Sequence, residues 1–193
     1  DVTLQNRISL FNKRNFHRPS GKNCSLAGRY IYENRWGGEL QWTPAFRGSD
    51  QIYAESIYTN RAEIIGNYQF ISKSPFFIDY SYNYHKQDSY YGTVKYLAHQ
   101  QVAFAQLRWN KKLGQHDLLA GIPFRYIFYD DNTVGTSTSE GVNQPDVTYL
   151  PGIFVQDEIQ LSNTFTTLAG LRYDRHNVHG NIFTPRLSLK YSP

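Results

Sequence analysis

Apolar and polar side chains alternate regularly along much of this chain. Between residues 76 and 85 one set of alternate positions is almost wholly aromatic, Phe76, Ile78, Tyr80, Tyr82 and Tyr84, whereas the other set is mostly polar. Successive side chains of a β-strand point to opposite faces of the sheet, so this period of two predicts a strand. Ten residues is also about the length of a tilted strand that crosses a bilayer. An aromatic face beside a polar one therefore predicts a transmembrane β-strand.

The same alternation recurs along the chain and predicts roughly nine to eleven strands. They are expected at about 2–12, 27–43, 52–70, 76–85, 99–109, 116–129, 150–160, 165–175 and 182–191. Two regions stay open: 27–43 is one strand or two strands bent at Gly37-Gly38, and 52–70 is one long strand or a hairpin with its tip at Thr59-Asn60. Pro123 lacks an N–H group, which predicts a local break in the sheet.

The lengths of the connections predict how the strands are arranged. After residue 70 the predicted connections alternate between short and longer: 72–75, 86–97, 110–115, 130–148, 161–164 and 176–181. Outer-membrane barrels join antiparallel strands by short periplasmic turns and longer extracellular loops. The fold class predicted is therefore all-β, an antiparallel up-and-down transmembrane barrel, with 86–97, 130–148 and 176–181 on the outside.

The composition fits strands that face lipid on one side and water on the other. Aromatic residues make up 16% of the 193 residues, although the mean hydropathy is only −0.58. The sequence contains no run of 18 apolar residues, which excludes a transmembrane helix. The scattered charges, with a net charge of +4, lack the basic stripe that nucleic-acid binding requires. Because methionine is absent and both ends fall in or beside strand pattern, residues 1–193 are expected to be a segment of a longer protein.

Five stretches of the chain resemble a known family. Residues 35–42, 55–63, 151–159, 168–176 and 179–187 resemble the barrel of TonB-dependent outer-membrane receptors, of the type common in Bacteroidetes. The resemblance implies a 22-stranded barrel that encloses an N-terminal plug domain and imports a scarce nutrient with energy delivered by TonB. Neither the plug nor the C-terminal end of the barrel is expected within these residues. The implied partners are outer-membrane lipid, the protein's own plug, the TonB complex through that plug, and a ferric chelate, cobalamin or an oligosaccharide. A ferric siderophore is the first expectation, with no cofactor and no covalent chemistry.

Two groups of residues are candidate sites. Polar and aromatic residues near the predicted extracellular rim are candidates for substrate capture, although an interfacial aromatic girdle explains the tyrosines equally well: Tyr90, Tyr91, Tyr96, Asp130, Asp131 and Asn132. Residues on the polar side of the last three strands are predicted to face the lumen and the plug, although they could merely satisfy one another: Gln156, Glu158, Arg172, Asp174 and Arg186. Within the second group, Asp174 and Arg186 are expected to pair diagonally.

Other classes of protein explain the sequence less well. The six histidines lack the spacing of a metal site, so no protein-ligated metal is expected. A complete omptin-like protease would use Asp130 and Asp131, together with Asp174 beside His176, to activate water. A soluble ligand-binding β-barrel would also alternate, but it would turn its apolar face inward.

Overall fold

The computed structural model describes residues 2–19, 22–70 and 75–192 as a single antiparallel sheet of nine strands. Each strand pairs with its neighbours in sequence. The strands are β1 (Val2–His17), β2 (Asn23–Gly38), β3 (Ala54–Gln69), β4 (Phe76–Tyr91), β5 (Val94–Leu113), β6 (His116–Asp131), β7 (Asp146–Gln160), β8 (Phe165–His176) and β9 (Gly180–Tyr191). Two short 3₁₀ turns, Pro44–Phe46 and Val134–Thr136, lie in the connections. The predicted all-β, antiparallel, up-and-down architecture is confirmed.

Most strands are longer than the sequence pattern predicted. The segment 86–97 is not a loop, because β4 and β5 continue through it to a two-residue turn at Gly92-Thr93. Gly92 has φ +59, a conformation that glycine adopts without strain and that suits the first position of such a turn. The sequence does not distinguish this strand extension from a loop, because a strand whose two faces are both wet is polar on both faces.

The two regions left open in the sequence are each one strand. Residues 54–69 form β3 without interruption, and Thr59 pairs with Glu33 on one side and Gln87 on the other. β2 ends at Gly38 rather than near residue 43, and Gly37 keeps its place in both ladders, so the glycines do not bend the strand. Residues 39–53 form a loop instead. The ladder between β6 and β7 lacks Ile122 and Pro123, which confirms the predicted break.

The connections separate the two ends of the sheet. The described connecting residues 18–19, 22, 114–115 and 161–164 lie at one end, called here the short-turn end. Residues 39–53, 92–93, 132–145 and 177–179 lie at the other, called the long-loop end. The turn predicted at 72–75 falls on residues of which only Pro75 is described. The lengths of the connections therefore distinguish the two ends mainly through the loops 39–53 and 132–145. The connections predicted at 130–148 and 176–181 are shorter in the structure, at 132–145 and 177–179.

The strand register divides the sheet into an apolar face and a polar face. The row Ile64–Tyr82–Ala103–Tyr126–Tyr149 runs across five strands of the apolar face. Most of the large exposed hydrophobic side chains in the strands lie on this face, including Leu187 and Leu189, which are 75% and 72% exposed. Because single exposed hydrophobic residues are common but a continuous apolar surface is not, this face requires a nonaqueous neighbour.

Aromatic rings border the apolar face at both ends. Near the short-turn end Phe76 stacks on Trp109, and Phe165 contacts Tyr191. Near the long-loop end the ring contacts are Tyr84–His99, His99–Phe128, Tyr126–Tyr149 and Tyr173–Phe183. In β4, β8 and β9 the two borders are eight residues apart, which is about 26 Å along a strand and about 20 Å after a tilt near 40°. That height fits the lipid-facing band of an outer-membrane barrel.

The sheet has two unpaired edges among the described residues, at β1 and β9. Unpaired backbone groups at a sheet edge are costly wherever water is absent. No helix within the described part of the chain is long and apolar enough to cross a membrane.

Candidate functional site

Glu63 is the centre of a charged cluster on the polar face. Its carboxylate accepts hydrogen bonds from Arg29 Nε at 2.6 Å and from Asn83 Nδ2 at 2.8 Å, and it also forms an ion pair with Arg61. Register places Arg29 and Asn83 on the strands at either side of Glu63. Glu63 is only 8% exposed, and a charge so buried needs partners of this kind. The cluster therefore holds β2, β3 and β4 together through side chains as well as backbone.

A second ion pair lies on the same face one strand further along. Arg108 Nε donates to Asp79 Oδ2 at 2.9 Å, and the guanidinium lies over the ring of Phe77 at 4.5 Å. Aromatic faces attract cations, so Phe77 stabilises the arginine although it interrupts the polar pattern of its strand. The polar face thus carries opposite charges at fixed positions across the sheet.

The five residues predicted to face a lumen all lie on the polar face. Gln156 and Glu158 in β7 share it with Arg172 and Asp174 in β8 and with Arg186 in β9. Gln156, Arg172 and Arg186 come together around a cavity of about 250 Å³, whose wall also includes Gly170. Glu158 lies outside this cavity, in a separate polar recess beside the 114–115 turn.

The predicted diagonal pair between Asp174 and Arg186 is wrong. Asp174 instead accepts two hydrogen bonds from Arg172, with Nε at 2.6 Å and Nη2 at 2.8 Å. Arg172 lies two positions away on the same face of the same strand, whereas Arg186 is opposite Gly170, four positions from Asp174. Gly152 is opposite Asp174, and a Cβ atom there would collide with the carboxylate.

A hydrogen-bonded chain on the polar face reaches the long-loop end. The Tyr96 and Tyr129 hydroxyl groups are 2.9 Å apart, and Tyr129 donates to Asp131 Oδ2 at 2.8 Å. The other oxygen, Oδ1, accepts from the Thr133 N–H and hydroxyl and from the Thr136 hydroxyl. Burial alone would raise the pKa of Asp131, but the hydrogen bonds from Thr133, Tyr129 and Thr136 outweigh it and lower the pKa. Asp131 is therefore an anion that fixes the start of the 132–145 loop.

Asp130 and Asn132 flank Asp131 and have different surroundings. Asn132 accepts from the Leu97 N–H at 2.7 Å and donates to the Lys95 carbonyl at 2.9 Å, so it ties the loop to β5. Asp130 belongs to the apolar face and lies opposite His99. Its Oδ2 is 3.4 Å from Asn143 Nδ2, and its Oδ1 is buried with no hydrogen-bond partner among the described residues.

Tyr90 serves as part of an anchor for the 39–53 loop. The Arg47 guanidinium lies between the rings of Tyr58 and Tyr90, at 4.2 and 4.5 Å from their centroids. It also donates to Ser56 Oγ at 3.0 Å and to the carbonyl and carboxylate oxygens of Asp88 at 2.9 and 2.8 Å. Arg47 could not be predicted from the sequence, because an arginine in a loop carries no pattern that reveals its partners.

The six predicted rim residues do not form one site. Tyr90 and Asp130 belong to the apolar side of the sheet, whereas Tyr91, Tyr96 and Asp131 belong to the polar side. Asp130, Asp131 and Asn132 line a cavity of about 580 Å³ at the long-loop end. Its other walls come from β4, β5 and the 132–145 loop and include Lys86, Lys95, His99, Ser137 and Asn143, but none of the three tyrosines.

The arrangement that the protease alternative requires is not formed. Asp174 binds Arg172, and His176 Nδ1 accepts from the backbone N–H groups of Val178 and His179 at 3.0 and 3.3 Å. The described residues contain no group of three or more His, Cys, Asp or Glu side chains placed to hold a metal ion. The side chains of the polar face therefore offer hydrogen bonding and ion pairing.

Comparison with known proteins shows to which family this sheet belongs. The siderophore receptor PirA from Pseudomonas aeruginosa superposes with a TM-score of 0.66 at 12% identity, over 98% of this chain and 31% of that receptor. PirA from Acinetobacter baumannii gives a TM-score of 0.70 at 10% identity, over 98% and 32%. This chain therefore spans about a third of each receptor, and at such identities the likeness shows the fold alone. No curated protein matches in sequence. The family model described as TonB dependent receptor-like, beta-barrel matches residues 3–193, and the chain therefore belongs to the TonB-dependent receptor family as part of its barrel.

Proposed function

We propose that this chain is part of the wall of an outer-membrane receptor that binds and imports a ferric siderophore without covalent chemistry. Family membership and the fold shared with two siderophore receptors support this proposal. The observation that carries it is the separation of the sheet into an apolar face with two aromatic borders and a polar face of paired charges. Cobalamin and oligosaccharide are the alternative substrates.

In this proposal the apolar face contacts lipid and the polar face lines the lumen. The long-loop end is then extracellular, since outer-membrane barrels carry their longer loops there. A soluble barrel would have to enclose the apolar face, and its aromatic borders would have no purpose there. The resemblance carried by residues 35–42 and 55–63 further favours a receptor of the type common in Bacteroidetes.

The polar residues of β7 to β9 are proposed to contact the plug domain. Gln156, Glu158, Arg172, Asp174 and Arg186 offer hydrogen-bond donors and acceptors along one surface. Arg172 and Asp174 satisfy each other, whereas Arg186 has no ion pair within the described residues. Such a surface can hold a polar domain and release it without the cost of exposing apolar area. TonB would act through the plug.

Substrate capture is proposed at the long-loop end. Tyr91 and Tyr96 lie on the polar face there, where a ligand entering the lumen would pass. Asp130, Asp131 and Asn132 shape the cavity beneath the 132–145 loop. Tyr90 contributes by holding the 39–53 loop through Arg47.

Uptake of radioactive iron by cells that produce the intact receptor tests this function. A panel of ferric siderophores is compared with labelled cobalamin and labelled oligosaccharides, and one siderophore is expected to enter only when TonB is present. Replacing the loop tip at 138–142 by two glycines is expected to weaken capture and leave the barrel in the membrane, because this tip bonds mainly to itself. Uptake of cobalamin or a sugar, with no siderophore entering, would contradict the proposed substrate.

A further inference from the structure

An acidic side chain stands on the apolar face near the short-turn end. Asp157 in β7 lies directly opposite Leu118 in β6 and Ala169 in β8. His116 Nδ1 is 2.6 Å from Asp157 Oδ2, whereas Oδ1 is buried and has no hydrogen-bond partner among the described residues. A charge on the lipid-facing side of a barrel is costly, although less so near the interface than at the midplane. The Asp157 side chain is nonetheless 23% exposed, so a donor from outside this sheet can reach its carboxylate.

A cation lies on the same face two strands away. Lys111 in β5 pairs in register with Leu118, which pairs in turn with Asp157. Two strand spacings place the backbones of Lys111 and Asp157 about 10 Å apart. The adjacent Lys112 faces the other side and pairs with Asp117, but Lys111 is exposed and forms no ion pair within the described sheet. A partly exposed carboxylate and an exposed lysine thus flank Leu118.

An apolar groove adjoins this charged row on the side away from the short turns. Its volume is about 450 Å³, and its lining includes Leu107, Trp109, Ala120, Ile122, Val155 and Leu171. Ala120 pairs with Val155 on one side and Trp109 on the other, so a small side chain lies between larger ones. Ala120 is two residues from Leu118, and the groove is therefore continuous with the charged row.

We propose that this patch binds a phospholipid whose headgroup carries both a phosphate and a primary ammonium, the phosphoethanolamine class. The inference rests on the proposed placement of the apolar face in the membrane. The ammonium pairs with the partly exposed Asp157 carboxylate, the phosphate pairs with Lys111, and an acyl chain lies in the groove. An anionic headgroup without an amine pairs with Lys111 but is repelled by the Asp157 carboxylate.

Lipid retention by the intact receptor tests the site. The receptor is purified in mild detergent, incubated with equal amounts of phosphatidylethanolamine and phosphatidylglycerol, and analysed by native mass spectrometry. Phosphatidylethanolamine is expected to remain bound in preference, and Asp157→Asn is expected to lower its retention about 10-fold, as loss of one charge-assisted hydrogen bond implies. Glu158→Gln, the adjacent carboxylate on the polar face, is the matched control and should leave retention unchanged.

Lys111→Gln provides a second variant, because an exposed lysine can be replaced without loss of folding. It is expected to lower retention of both phospholipids, since both carry the phosphate. Equal retention of the two lipids by the unmodified receptor, or unchanged retention in both variants, would overturn the site.

Fluorescence quenching separates this inference from the proposed function. Brominated phospholipid in vesicles should quench the receptor, and Trp109→Phe should remove part of that quenching because Trp109 borders the groove. If Trp109 contributes no quenching, the membrane placement fails and the lipid site fails with it. If Trp109 is quenched but the two charge variants retain lipid normally, only the lipid site fails.

Discussion

The anchor around Arg47 yields the most quantitative prediction. The Arg47 side chain is only 16% exposed and makes three hydrogen bonds and two ring contacts. Truncation in Arg47→Ala removes them and leaves the buried Ser56 hydroxyl without its donor. Hydrogen bonds to charged groups contribute about 1.5–3 kcal/mol and cation–π contacts about 0.5–1 kcal/mol. Because these contributions are not additive, we expect a loss of about 2–4 kcal/mol in the docking of the 39–53 loop.

Amide hydrogen exchange measures this loss directly. The loop contains its own hydrogen bonds, among them Trp42 N–H to Glu39 at 3.1 Å and Phe46 N–H to Thr43 at 2.9 Å. If these amides exchange only when the loop undocks from the sheet, a loss of 2–4 kcal/mol lowers their protection against exchange by about 30- to 700-fold. Each 1.4 kcal/mol changes the docking equilibrium constant by a factor of about ten. Protection in the centres of β3 and β4 should not change.

Two control variants refine the measurement. Arg47→Lys keeps the charge but loses the planar fork, so it should recover only part of the protection. Arg35→Ala removes an arginine from the polar face of β2 and should leave the loop unaffected. Unchanged exchange of residues 39–53 in Arg47→Ala would refute the reasoning, because the contacts would then contribute nothing to loop docking.

Three further predictions concern the polar face and the long-loop end. Glu63→Gln is expected to lower the stability of the intact barrel in urea by about 1–3 kcal/mol. This loss is smaller than for a fully buried ion pair, because the arginines that pair with Glu63 are partly exposed. The control Glu33→Gln should cost under about 1 kcal/mol. Gly152→Ala should cost about 1–3 kcal/mol in the same assay, since its Cβ collides with a carboxylate, while Gly28→Ala meets only an ordinary contact and should cost far less. The folded pKa of Asp131 lies below its usual 3.8, so its stabilisation is complete above that pH and is lost as the pH falls through the folded pKa. Protection of residues 132–145, corrected for intrinsic exchange, should therefore stay constant from pH 7 to 5 and fall below pH 3.8.

The division into two faces could be predicted from the sequence because the side chains of a strand have a period of two residues. Phe76 to Tyr84 identified the apolar face, and the structure keeps that parity across every ladder. The break at Pro123 followed from its missing N–H group in the same way. Local stereochemistry determines both features.

Features that depend on distant residues could not be predicted from the sequence. The end of β4 was misplaced because polar residues continue the strand once both faces are wet. The partner of Asp174 was wrong because its choice between Arg172 and Arg186 depends on register and rotamer rather than on pattern. Arg47 was missed because its partners in β3 and β4 lie 9 and 41 residues away in sequence.

The direction in which each face points is the central claim, and paired cysteine labelling tests it most directly. In the intact receptor, with Cys24→Ser, the variants Tyr82→Cys and Ser81→Cys place one thiol on each face of the same strand. A lipid-borne reagent should label the position-82 variant, and a water-soluble reagent should label only the position-81 variant. Labelling of the position-82 variant by the water-soluble reagent, together with protection of the position-81 variant, would contradict the account.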